Sequence, residues 1–231
     1  LSENPPDLIL AIGMGALSRV RNFPDVPVVY VMVLDSGVTH SRQNHITGVN
    51  MRISPEHQFS ALLDVLPETK KVGLLYDPRR TETLVSELRT TAKLHKISIE
   101  QRWIQSPKNI PDAIMEMGGK VDALWMLPDL TVVTPETIEF FLLFSLENKI
   151  PIITFSEKYV ELGALMSIGV DPFDLGRQAG EIAIKVLSGT DITTIQEVYA
   201  RKAVITINDK IARKLGISIS ERITIKAKII D

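Results

Sequence analysis

Short apolar runs rich in β-branched residues alternate with longer amphipathic stretches along this 231-residue chain. Runs such as Val28-Val29-Tyr30-Val31-Met32-Val33 and Ile150-Pro151-Ile152-Ile153 carry no polar alternation, so they suit parallel strands buried on both faces. Strands are expected over residues 7–13, 27–33, 71–77, 97–104, 121–127, 150–155, 165–170 and 204–208. Helix starts are written between them. Ser54-Pro55-Glu56, Thr134-Pro135-Glu136 and Asp171-Pro172-Phe173-Asp174 each give a capping residue, a proline at the first helical position and an early acid. The segment from Pro172 to Leu187 repeats apolar residues at helical spacing and stops before Ser188-Gly189. Strand and helix in alternation predict an α/β fold with mostly parallel sheets flanked by helices.

The longest stretch without periodicity, residues 34–53, reads as a crossing between two lobes. Further crossings are expected after residues 165–170 and near residues 193–197. The charge balance of 26 basic against 28 acidic residues offers no footprint for a nucleic-acid partner. Cysteine is absent, which removes thiolate metal sites and cysteine nucleophiles. No apolar run approaches the ~20 residues of a membrane-spanning helix. The chain begins at Leu1 without a basic-then-apolar leader, the expectation for a processed or truncated product.

Enzyme motifs are sparse. His40, His45, His57 and His95 show no metal-ligand spacing, and neither a nucleophile elbow nor a complete phosphate loop occurs. Gly13-Met14-Gly15-Ala16-Leu17-Ser18 follows the first strand, and Asp35 lies beyond the second, an incomplete dinucleotide fingerprint whose third glycine is Ser18. Ligands of open α/β sheets bind outside the carboxyl ends of the strands. Those ends carry Gly13, Met14, Gly15 and Ala16; then Asp35 and Ser36; then Tyr76, Asp129, Phe155, Ser156, Glu157 and Asp171. Such a collar of acids, hydroxyls and aromatics suits a small molecule bearing an amine or hydroxyls. Each acid has a plainer reading beside this one, since Asp171 and Asp129 also stand where helix caps are expected.

The order of several segments resembles a known family. They run from Asp7-Leu8-Ile9-Leu10-Ala11-Ile12-Gly13 through Ile46-Thr47-Gly48-Val49, Val72-Gly73-Leu74-Leu75-Tyr76 and Val121-Asp122-Ala123-Leu124-Trp125. They continue with Ser156-Glu157-Lys158-Tyr159-Val160, Gly169-Val170-Asp171 and Leu175-Gly176-Arg177-Gln178-Ala179-Gly180. Together they resemble the solute-binding proteins of bacterial ABC importers, in the branch that includes tryptophan- and tyrosine-binding members. The resemblance implies a two-lobe, type I periplasmic-binding-protein-like fold that closes by hinge motion on a small-molecule ligand in the cleft between lobes. Lobe one is expected over residues 1–53 and 172–197, and lobe two over 54–171 and 198–231. The family normally opens with two further strand–helix units, so lobe one reads as incomplete, with two clear strands of its own. A homodimer is one way to complete it.

The implied partners are a small solute and a membrane-embedded ABC permease. No cofactor, metal, nucleic acid or catalytic residue is implied. The implied location is periplasmic or extracellular, with a lipoprotein anchor as one means of membrane association. A ligand-sensing input domain of a signalling protein is the alternative on the same fold, and a dinucleotide-dependent enzyme built on Gly13–Ser18 is a more distant one.

Overall fold

The computed structural model describes residues 4–23, 25–34 and 44–231. The chain divides into two compact units: Leu1–Ser54 with Val170–Ala203, and Pro55–Gly169 with Val204–Asp231.

The first unit is built on a four-stranded parallel sheet ordered β1-β2-β3-β9, with β1 Ile9–Ile12, β2 Val28–Val33, β3 Ile46–Ile53 and β9 Val198–Ala200. Helices α1 (Met14–Val20) and α7 (Pro172–Leu187) belong to it. Its core gathers Ala11, Leu17, Val28, Tyr30, Val33 and Ile46. The apolar run of β2 is buried on both sides of the sheet except at Met32, in keeping with its unbroken hydrophobicity.

Here the structure corrects the sequence reading twice. Residues 46–53, expected within a crossing, form strand β3 at the interior of this sheet. Its polar and glycine positions hid it, although Asn50 and Gly48 have internal uses. The Asn50 amide donates to the Glu197 carboxylate, which also accepts from the Tyr30 hydroxyl. At Gly48 a side chain would drive a Cβ into the Tyr30 backbone and ring, so only glycine lets β2 and β3 meet there. Residues 198–203, expected in the second lobe, lie in the first unit because β9 pairs with β3. The sheet of this unit therefore has four strands rather than two.

The second unit holds a seven-stranded sheet ordered β11-β10-β8-β7-β6-β4-β5. Its strands are β4 Lys71–Tyr76, β5 Ser98–Trp103, β6 Ala123–Trp125, β7 Ile152–Thr154, β8 Met166–Val170, β10 Ala203–Asn208 and β11 Lys228–Ile230. From β5 to β8 every neighbouring pair is parallel. The connecting helices are α3 Pro78–Leu94, α4 Ile110–Met115, α5 Pro135–Asn148 and α6 Glu157–Leu162, preceded by α2 Pro55–Val65 and followed by α8 Asp209–Leu215 and α9 Glu221–Thr224. Of the proline-marked starts, those at Thr134 and Asp171 carry side-chain caps and α2 begins at Pro55, while Asp77-Pro78, not read from sequence as a helix start, opens α3 in the same way. Asp77, Thr134 and Asp171 cap α3, α5 and α7 with their side chains.

Candidate functional site

In a parallel sheet each strand is followed by a helix that starts at the strand's carboxyl edge and runs back antiparallel to it. Gly13 ends β1 and opens α1, and α7 leads back into β9, parallel to β3. The starts of α1 and α7 therefore share the carboxyl edge of the first unit. By the same rule Asp77, Asp129, Phe155, Ser156 and Glu157, which lie just beyond β4, β6 and β7, share the carboxyl edge of the second unit.

At the first unit's edge Gly13 adopts a left-handed φ of 82°, which a side chain would strain, and having no side chain it offers no cap to α1. The first helical bond runs from the Leu17 N–H to the Gly13 carbonyl. Met14, Gly15 and Ala16 thus present the N–H groups of an uncapped first turn, donors that a helix start leaves without internal acceptors. Asp35 and Ser36 fall outside the described residues.

Asp171 is tied from three directions. One carboxylate oxygen accepts the N–H groups of Phe173 at 2.9 Å and Asp174 at 3.1 Å. The other accepts the Lys202 ammonium at 2.5 Å, yet the side chain keeps 18% exposure. The Lys202 ammonium, followed by the helix N–H groups, holds this carboxyl below the usual carboxylate range. Arg201 steadies the same corner by bridging Asp174 and Glu181 of α7, while Gln178 accepts from the Arg201 N–H and donates to the Tyr199 carbonyl.

The second unit's edge contrasts with this. Asp129 is buried, and its carboxylate accepts from the Asp77 N–H at 2.8 Å, the Thr81 hydroxyl at 2.7 Å, and the N–H groups of Thr131 and Val132 at 2.8 and 3.3 Å. Asp77 is equally engaged. It caps α3 through the Arg79 N–H, pairs with the Arg79 guanidinium and accepts from the Thr131 hydroxyl at 2.9 Å. The Arg79 guanidinium beside Asp77 holds its carboxyl well below the usual range. Two carboxylates thus stitch the β4–α3 turn to the β6–α5 turn with donors from their own chain.

Tyr76 lies in the core at 0% exposure, where sequence reading expected an aromatic wall for a ligand. Its hydroxyl donates to Glu82 and accepts from the Trp103 indole, both at 2.9 Å, and burial pushes its pKa up. Glu82 of α3 and Trp103 at the end of β5 hold the hydroxyl inside the second unit. Phe155 is half-buried, edge-on to Tyr159 with ring centroids 5.3 Å apart. Ser156 precedes α6 without a capping bond from its hydroxyl. Glu157 turns to Lys228 at 2.6 Å and Thr206 at 3.5 Å, tying α6 to β10 and β11.

The exposed apolar side chains at these edges escaped the sequence reading. Phe173 is 83% exposed in the first turn of α7, Leu130 is 77% exposed next to Asp129, and Trp103 is 67% exposed at the carboxyl end of β5. A strand-end or cap-adjacent position with a bulky apolar residue was the available signal. The described residues hold no group of three or more acids and histidines placed to bind a metal ion, and no described helix is long and apolar enough to cross a membrane.

Residues 1–230 match the family model for ABC transporter substrate binding protein. Among curated proteins the chain is 29% identical over 198 residues to a tyrosine-binding protein of Clostridioides difficile (strain R20291), covering 82% of this chain and 57% of that protein. Among solved structures, an ABC domain in complex with L-Trp from Streptococcus pneumonia is 26% identical with a TM-score of 0.72, covering 100% of this chain and 81% of the other. A ligand-free, open substrate-binding protein with adhesive properties from Clostridium difficile superposes with a TM-score of 0.79 at 22% identity, covering 97% of this chain and 78% of the other. That last likeness shows the fold alone. The chain spans 57% and 60% of the length of two curated relatives that it matches.

Proposed function

Because the chain belongs to the ABC transporter substrate-binding protein family, a binding rather than a catalytic family, we propose that it captures a small solute, an aromatic amino acid such as L-tyrosine or L-tryptophan, for an ABC permease. Ligands of open parallel sheets bind outside the carboxyl ends of the strands, so the carboxyl edges are where the solute is taken up, and it selects the state that binds it more tightly. Work of this kind is done on the periplasmic or extracellular side of the membrane, which is where this reading puts the protein.

The single observation that carries the proposal is the half-open coordination of Asp171. An ionised carboxylate, oriented by a helix start and one lysine, keeps an exposed surface able to accept an ammonium. The uncapped N–H groups of Met14, Gly15 and Ala16 suit the ligand's carboxylate, the attraction being that of a helix start for an anion. Phe173 at the first unit's edge, and Leu130 and Trp103 at the second unit's, offer exposed apolar surface for an aromatic ring; Phe155 and the Ser156 hydroxyl stand at the second unit's edge as well. The tyrosine and L-Trp named for two relatives point to the same ligand class.

A thermal-shift panel of the twenty amino acids tests this directly. A ligand at ~100 times its dissociation constant stabilises by about 2.7 kcal/mol, so L-tyrosine or L-tryptophan is expected to raise the melting temperature by several degrees. A panel with no shift for any aromatic amino acid overturns the ligand class.

A further inference from the structure

The strands β4, β6 and β7 begin at the opposite, amino edge of the second unit's sheet, and a cavity of about 810 Å3 opens there. That volume is within the range of small-molecule sites. Its lining includes four lysines, Lys70, Lys71, Lys120 and Lys149, and the two acids Glu68 and Asp122. The four lysines outnumber the two acids, which leaves a surplus of two positive charges. One Asp122 carboxylate oxygen accepts the N–H groups of Lys70 and Lys71 at 2.8 and 2.7 Å, which fixes the backbone beneath the lysine side chains. Among the described residues none of the four ammonium groups has a hydrogen-bond or ion-pair partner. Lys149 directly follows the end of α5, where a cation offsets the helix dipole, but Lys70 and Lys120 lie beyond the last turns of α2 and α4 and Lys71 opens β4, past the reach of that effect. Buried Val121 and Ile150, with Leu66 beside them, give the cavity an apolar floor.

We propose that this cavity is a second ligand site, separate from the carboxyl edges, for an organic anion that carries at least two negative charges on a flat apolar body. The lysines take the charged groups and the floor takes the body. Two or more fixed charges are specified because the surplus of unpaired ammonium groups is greater than one.

Calorimetric titration with naphthalene-1,5-disulfonate tests it, with inorganic sulfate as the second probe. The expected result is saturable one-to-one binding of the disulfonate. It should weaken about tenfold or more in the combined variant Lys71→Gln, Lys120→Gln and Lys149→Gln, and hold within about threefold when the same positions become arginine. These positions are surface lysines, and an unchanged melting temperature checks that each variant is folded. Absence of saturable binding, equal affinity in the glutamine variant, or sulfate binding as tightly as the disulfonate would overturn the proposal, the last because the apolar floor would then contribute nothing.

Discussion

The two carboxyl edges carry similar acids and engage them differently. In the second unit Asp77 and Asp129 accept every bond from their own chain, joining two turns that are 52 residues apart in sequence. In the first, Asp171 is held by three donors yet retains exposed surface beside the very open Phe173. A carboxylate whose acceptor sites are filled and buried is scaffolding, whereas one oriented but partly open can take a further donor. Position at a strand end does not separate the two cases; coordination does.

The sharpest way to break this contrast is to remove Asp129. Asp129→Ala strands the Asp77 and Thr131 N–H groups and the Thr81 hydroxyl in a buried site, each loss costing about 1–3 kcal/mol. Urea unfolding should show the second unit destabilised by roughly 3 kcal/mol or more. A stable variant that has lost only ligand affinity would reverse the assignment of roles.

Asp171→Ala should do the opposite. Loss of a charge-assisted bond worth roughly 1.5–3 kcal/mol weakens L-tyrosine or L-tryptophan binding about ten- to hundred-fold by calorimetry. The lost cap costs about 1 kcal/mol of stability. Unchanged affinity would reduce Asp171 to a helix cap.

Acid should sharpen the comparison through stability. The folded-state pKa values of Asp77 and Asp171 lie below their unfolded values, so their contributions are present above the ordinary carboxylate range. They are lost as pH falls below about 4 through the lower folded values. Stability measured by urea at successive pH values should therefore be level near neutrality and decline in acid, and Asp77→Asn should flatten that decline. A decline of the same steepness in the variant would mean that other carboxylates dominate.

A smaller effect is expected at Lys202. Lys202→Gln removes one partner of Asp171 that is more than half exposed. Such pairs contribute about 0.2–1 kcal/mol, so calorimetry should show affinity altered by no more than about fivefold. A change as large as that of Asp171→Ala would make Lys202 itself a ligand-binding group.

Legibility in the sequence followed how local each signal was. The buried strands β2, β4, β6 and β7 announce themselves by unbroken apolar runs, and the starts of α5 and α7 by a capping residue followed by proline. Strand β3 did not, because its Gly48 and Asn50 read as loop until Tyr30 and Glu197 are seen to need them. The short β9 and β11 have three residues each, too few for a period. At the edges, sequence placed Asp129 and Asp171 correctly beyond strands but could not tell which was saturated. The donors come from β4 and α3 in one case and from a lysine 31 residues away in the other. Burial of Tyr76 was hidden for the same reason, since Glu82 and Trp103 reach it from separate elements.

The central claim, that a small solute binds at the carboxyl edges, is tested most directly by amide chemical-shift mapping as L-tyrosine is added to the protein. The account predicts the largest shifts at Met14, Gly15, Ala16, Leu130, Ser156, Phe173 and Asp174, with the amino-edge residues Lys70, Lys71 and Lys120 unmoved. Saturable shifts confined to the amino edge, with the carboxyl-edge amides unperturbed, would contradict it.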